Sequence, residues 1–87
     1  MTPLDDATAR HAQLCARLGS VLPYELMTVQ AWANAVAEYG AGSAQAELAR
    51  EHFERARARR AALAAELDAA SVELAEAMAT SHREARQ

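Results

Sequence analysis

The sequence predicts an all-α protein, with two shorter helices plus one long C-terminal helix as a non-globular extension packing on a partner chain. Three observations lead there. Apolar residues recur at intervals of three and four over most of the chain. The three Gly and two Pro fall where they punctuate such runs rather than inside a strand pattern. From Ala44 to Ala79 there is no Gly or Pro at all, and good helix formers dominate.

The first helix is expected over about 3–18. Thr2 reads as its N-cap and Pro3 as its first residue, while Asp5 and Asp6 suit the positive end of its dipole. Leu4, Ala7, His11, Leu14 and Leu18 share one face, with Cys15 beside them, and Gly19 reads as the stop. A short connector, 20–23, leads to a second helix that Pro23 and Glu25 open. Leu22, Leu26, Val29, Ala33 and Val36 form its expected core stripe, widened by Trp32 and Tyr39, and Gly40 ends it. Ser43 caps the third helix, 44–79, which is about 50 Å long at 1.5 Å per residue. The first two helices, near 25 Å each by the same rise, are too short to cover it. Its far half nevertheless keeps an apolar stripe through Leu63, Leu67, Ala70, Leu74 and Met78. Leu63, Leu67, Leu74 and Met78 are therefore expected at an interface, in a homodimer, with a different chain, or under a bend of the same helix. Residues 81–87 read as a fraying tail of this single helical unit.

Composition narrows the function. All nine basic residues are Arg, the net charge is −3, and aromatics make up 5% of the chain. The acidic balance argues against nucleic acid as a partner, since Glu47, Glu51 and Glu54 dilute the cluster Arg55, Arg57, Arg59, Arg60. Large core side chains are scarce, and the Ala that dominates the 52% apolar content buries little area per residue. Such a chain gains stability from close helix approach and from partners. One cysteine excludes an internal disulfide and a multi-thiolate metal site. No run approaches the roughly 20 apolar residues of a membrane span. Asp5, Asp6, Arg10 and Arg17 occupy the region where a signal peptide would be apolar, so the expected location is the cytoplasm.

Few constellations carry chemistry. His11 and Cys15 have the i, i+4 spacing of helical metal ligands, but no third ligand completes them, so a packed Cys and a half-buried His account for the pair and no metal site is assigned. His52 and His82 stand alone, without a nucleophile signature. There is no glycine-rich phosphate loop. Tyr24, Trp32, Tyr39 and Phe53 read as core or interface aromatics, or as walls of a partner's pocket. The run Arg50-Glu51-His52-Phe53-Glu54-Arg55 is the most specific feature. Arg50 and Glu54 share a face, and a guanidinium held by a carboxylate one turn on suits oxyanions or sulfur-bound oxygens. A solvated helix face accounts for the same run.

The stretch 22–56 resembles the helical N-terminal part of nitrile hydratase beta subunits. The likeness rests on Leu22-Pro23-Tyr24-Glu25-Leu26-Met27 opening a helix, and on Arg50-x-x-x-Glu54-Arg55 in the next one. The spacing between the two motifs is longer than in typical members. In that family a separate alpha subunit binds cobalt or iron through a Cys-x-x-Cys-Ser-Cys claw, and beta-subunit arginines hydrogen-bond the oxidised cysteine oxygens. The resemblance implies that Arg50 carries that role at a partner's metal centre, with Glu54 orienting it and Tyr24, Trp32 and Phe53 walling the substrate pocket. No cofactor is expected in this chain itself. Since neither claw nor barrel is present, the chain would be a split beta subunit of a three-subunit enzyme, bound to an alpha subunit and a small barrel subunit and inactive alone. Hydration of a nitrile to an amide would be the reaction of the complex. A second expectation needs no such family. The same long stripe suits a helical homodimer acting as an interaction or regulatory module, antitoxin-like or scaffolding, and self-association of the isolated chain is compatible with either.

Overall fold

The structure, a computed structural model, describes residues 2–86. It has two helices, α1 (Pro3–Tyr39) and α2 (Ala44–Ala85), joined by a tight turn into an antiparallel hairpin measuring 68 × 15 × 15 Å. Its radius of gyration, 19.5 Å, far exceeds the roughly 12 Å of a compact domain of this length.

Local chemistry explains where each helix begins and ends. The Thr2 hydroxyl accepts from the Asp5 N–H at 3.1 Å, and the Asp5 carboxylate accepts from the Thr2 N–H at 3.3 Å, a reciprocal capping box with Pro3 just inside. At the other end Gly40 takes φ +93°, which an L side chain rarely adopts, while its N–H still donates to the Val36 carbonyl at 2.9 Å. Ser43 then caps α2 by accepting from the Ala46 N–H, and its hydroxyl donates back to the Gly40 carbonyl.

The seam between the helices has the alternating three–four spacing of a coiled coil. On α1 the inward positions are Leu4, Ala7, His11, Leu14, Leu18, Val21, Glu25, Thr28, Trp32 and Ala35. On α2 they are Ala46, Ala49, Phe53, Ala56, Arg60, Leu63, Leu67, Ala70, Leu74 and Ala77. Among the described residues only Leu14, Val21, Thr28, Ala46, Ala56 and Ala70 are buried outright, because a two-helix seam leaves most of its side chains at an edge. Two contacts fix the register. The Trp32 and Phe53 rings stack with centroids 5.5 Å apart, and the Arg60 Nε donates to the Glu25 carboxylate. The pairs are seven residues apart on both helices, so they report the same alignment, which continues to Leu18 beside Leu67 and His11 beside Leu74. Buried Thr28 satisfies its hydroxyl on the Glu25 carbonyl at 2.7 Å.

Several sequence expectations are corrected here. The stop at Gly19 and the connector 20–23 are continuous helix, so there are two helices, not three. Proline inside a helix costs about 3 kcal/mol, chiefly through the lost N–H bond and the clash of its ring with the carbonyl four residues back. Here that carbonyl belongs to Gly19, which has no Cβ to crowd the site, and Pro23 lies on the exposed side. The inward seam runs past the proline without changing phase, so packing along α2 outweighs the local signals. Restarting the phase at Pro23 mistakes the outer face for the core: Leu22 is 48% exposed and Leu26 65%, while Val21, Glu25 and Thr28 face α2. Continuity of α1 also removes the need for a partner over the far half of α2. Leu63, Leu67 and Leu74 lie on the face α1 covers, and Met78, 56% exposed, lies outside it. α2 includes residues 81–85, the stretch whose composition reads as a tail.

Candidate interaction surface

The hairpin divides the sequence-predicted site residues among different faces. Arg50 sits in the second turn of α2, exposed, near the closed end. Its Nη2 donates to the Glu47 carboxylate at 2.8 Å and its Nη1 to Glu54 at 3.5 Å. The closer partner, Glu47, escapes a reading that looks only one turn forward, although i, i+3 spacing is as good a signal as i, i+4. These acids hold the guanidinium above its ordinary pKa, the Glu47 hydrogen bond first and the charges of Glu47 and Glu54 next. The pairs are exposed, so they orient the side chain more than they stabilise the fold.

Tyr24, Trp32 and Phe53 do not converge on one pocket. Trp32 and Phe53 stack on each other between the helices. Tyr24 belongs to one side of the hairpin, in a groove with His52, Arg55, Ala56 and Arg59. Phe53 also edges the opposite side, in a groove with Leu22, Glu25, Leu26 and Val29. His11 and Cys15 are neighbours on α1, Nδ1 to Sγ 3.8 Å, and no group of three metal-binding side chains occurs among the described residues. No helix among the described residues is long and apolar enough to cross a membrane.

The outer face of α1 is the most unusual surface. Between residues 7 and 37 the only Asp, Glu, Arg or Lys are Arg10, Arg17 and Glu25. Glu25 is in the seam, and Arg17 and Arg10 flank it, Arg17 in a groove with Arg59 and Glu66, Arg10 at 3.9 Å from Glu73. The rest of the circumference is uncharged for that whole length, including Leu22, Leu26 and Met27, each about half or more exposed. Solvated helix faces ordinarily carry a quarter or more charged residues. The outer face of α2 does: Glu47, Glu51, Glu54, Arg55, Arg57, Asp68 and Glu76 all lie there, exposed. A second heptad-spaced row, Thr8, Ala12, Cys15, Gly19, Leu22, Leu26, Val29, Ala33 and Val36, runs along α1 on this face. Helical geometry sets it about 100° from the seam that α2 covers. The sequence signal for this surface is the missing charge rather than the apolar spacing, because apolar spacing alone fits a core stripe equally well.

No family model, no curated protein and no solved structure matches this chain.

Proposed function

We propose that the chain is a protein-docking module: a stiff helical hairpin that presents the uncharged outer face of α1 to a protein and acts through assembly. The observation that carries this is the contrast between its two outer faces. One is charged as a solvated surface is, and the other lacks charge from residue 7 to 37 while exposing Leu22, Leu26 and Met27. Apolar surface of that extent loses free energy in water at roughly 25 cal/mol per Å², so a covering protein is the natural resolution. A photo-reactive amino acid in place of Leu26, in cells that encode the chain, tests it. A discrete protein adduct is expected from position 26 and none from the control position Glu51 on α2. No adduct at position 26 would sink the docking role.

A second function is favoured by the setting of Arg50. Its side chain is exposed and braced on both sides by Glu47 and Glu54, with N–H groups left to reach oxygens of another chain. That suits the small non-metal subunit of a heteromeric nitrile hydratase, a lyase, in which Arg50 would hold oxidised cysteine oxygens at a cobalt or iron centre of the alpha subunit while a barrel subunit completes the complex. Co-expression with claw-bearing and barrel chains tests this. Arg50→Lys should keep assembly and lower turnover about 10- to 100-fold, as loss of a bond behind a metal ligand does, with Arg57→Lys as the near-neutral control. Equal turnover in both variants would remove Arg50 from the chemistry.

A further inference from the structure

A docking face has an occupant, and the pattern of this one points to a second copy of the same chain. The row on the outer face of α1 has a small half and a large half. Thr8, Ala12, Cys15 and Gly19 occupy the first, while Leu22, Leu26, Val29 and Val36 dominate the second. Place a second α1 antiparallel against it, with a two-fold axis at Leu22. Heptad spacing then sets Gly19 against Leu26 of the second copy, Cys15 against Val29, Ala12 against Ala33 and Thr8 against Val36. Small meets large along most of the row, as interdigitated packing requires. A parallel, in-register pair would set Gly19 on Gly19 and Leu26 on Leu26, leaving voids at one end and crowding at the other.

Two features outside the row select the same arrangement. First, the covered and open rows of α1 lie about 100° apart, near the right angle at which each helix of a square four-helix bundle meets its two neighbours. Second, the charges of α2 fit the same axis. In the hairpin register, set by Glu25 with Arg60 and Trp32 with Phe53, Leu22 lies level with Leu63. A two-fold axis there brings Arg57, which follows the seam residue Ala56 as Leu22 follows Val21 and so lies on the same side of the hairpin as the open row, level with residue 69 of the second copy, beside Asp68 on that same side. The other charges of this stretch face elsewhere: Arg55, Arg59 and Glu66 line the grooves with Tyr24 and Arg17 on the opposite side, and Arg60 is paired with Glu25. Arg57 and Asp68 are thus level across the axis, twice over. The area is also sufficient. The hairpin exposes 6300 Å² at 9.4 kDa, about 1,300 Å² more than a compact monomer of that mass, whereas a standard interface needs about 800 Å² from each partner.

We propose that the chain forms an antiparallel homodimer, a four-helix bundle closed through the outer face of α1 with Leu22 on the two-fold axis. This rests on the docking role of that face. The test uses the native cysteine of the full chain. In the antiparallel dimer the two Cys15 lie about 21 Å apart along the axis, beyond disulfide reach, so the unmodified chain should give no cross-link on oxidation. Val29→Cys places a thiol opposite Cys15 of the second copy, and should give a disulfide-linked dimer in high yield with unchanged helical circular dichroism. Val29→Cys with Cys15→Ala should again give none. Sedimentation should show a dimer for the unmodified chain and a helical monomer for Leu26→Glu. Efficient cross-linking of the unmodified chain through Cys15 would mean parallel pairing and would overturn the arrangement. A monomer at all concentrations, with no cross-link from Val29→Cys, would overturn the second copy as occupant. The mass of the Leu26 photo-adduct separates the two levels. Twice the chain mass supports the dimer, another mass removes the dimer but leaves the docking role, and no adduct removes both.

Discussion

Glu25 and Arg60 meet inside the hairpin seam, a carboxylate and a guanidinium at positions where the neighbouring layers are Val21 with Leu63 and Thr28 with Ala56. Their side chains are 16% and 32% exposed, so water only partly screens the pair. An ion pair in an otherwise apolar seam contributes little net stability but penalises every alignment that leaves either charge alone. A shift of α2 by one heptad would set Glu25 beside Phe53 or Leu67, and Arg60 beside Trp32 or Leu18.

Removing one partner should therefore cost more than removing both. Arg60→Met is expected to destabilise by about 1–3 kcal/mol, because it leaves the Glu25 carboxylate against apolar neighbours. Glu25→Leu together with Arg60→Leu should recover that loss or exceed the original stability. Urea unfolding followed by circular dichroism reads both. A single variant as stable as the parent would show that the pair does not set the register.

The Trp32–Phe53 stack anchors the closed end of a core that otherwise relies on Ala and Leu. Trp32→Ala should cost about 2–4 kcal/mol, and Trp32→Phe well under half of that, since a ring still covers Phe53. Since Trp32 is the sole tryptophan, its fluorescence in the unmodified chain should shift with the same midpoint as helicity. Separate midpoints would mean that the closed end melts independently.

Pro23 lies in the middle of α1, on the exposed side, with Gly19 four residues before it. Pro23→Ala restores an N–H donor toward the Gly19 carbonyl and should raise stability by about 1–3 kcal/mol. Thermal melting measures it. No gain would mean that the backbone has already bent to remove the penalty.

Gly40 carries the chain through the turn at φ +93°, although nothing crowds a Cβ built there. Gly40→Ala should thus cost about 1–2 kcal/mol from backbone strain alone, whereas Gly42→Ala, with an ordinary φ and equal space, should be close to neutral. Equal melting temperatures for the two variants would contradict this.

Sequence alone determined the helical character, the caps at Thr2 and Ser43, the turn at 40–43 and the inward residues of the first eighteen positions and, over 63–74, of the far half of α2. These depend on local spacing and on side chains reaching their own backbone. It also made Arg50 and Glu54 neighbours, because i, i+4 adjacency follows from helical geometry. Tertiary structure decided the rest. Whether Gly19 and Pro23 end a helix depends on how much burial lies on either side of them, and continuous packing along α2 outweighs a local cost of a few kcal/mol. That one outcome moved Leu22, Leu26 and Val29 from core to surface, gave Leu63, Leu67 and Leu74 their cover within the chain, and brought Glu25 to Arg60 across thirty-five residues of sequence. Apolar spacing tells that a helix has a face to bury, but only the packed hairpin shows which of two adjacent faces is already taken.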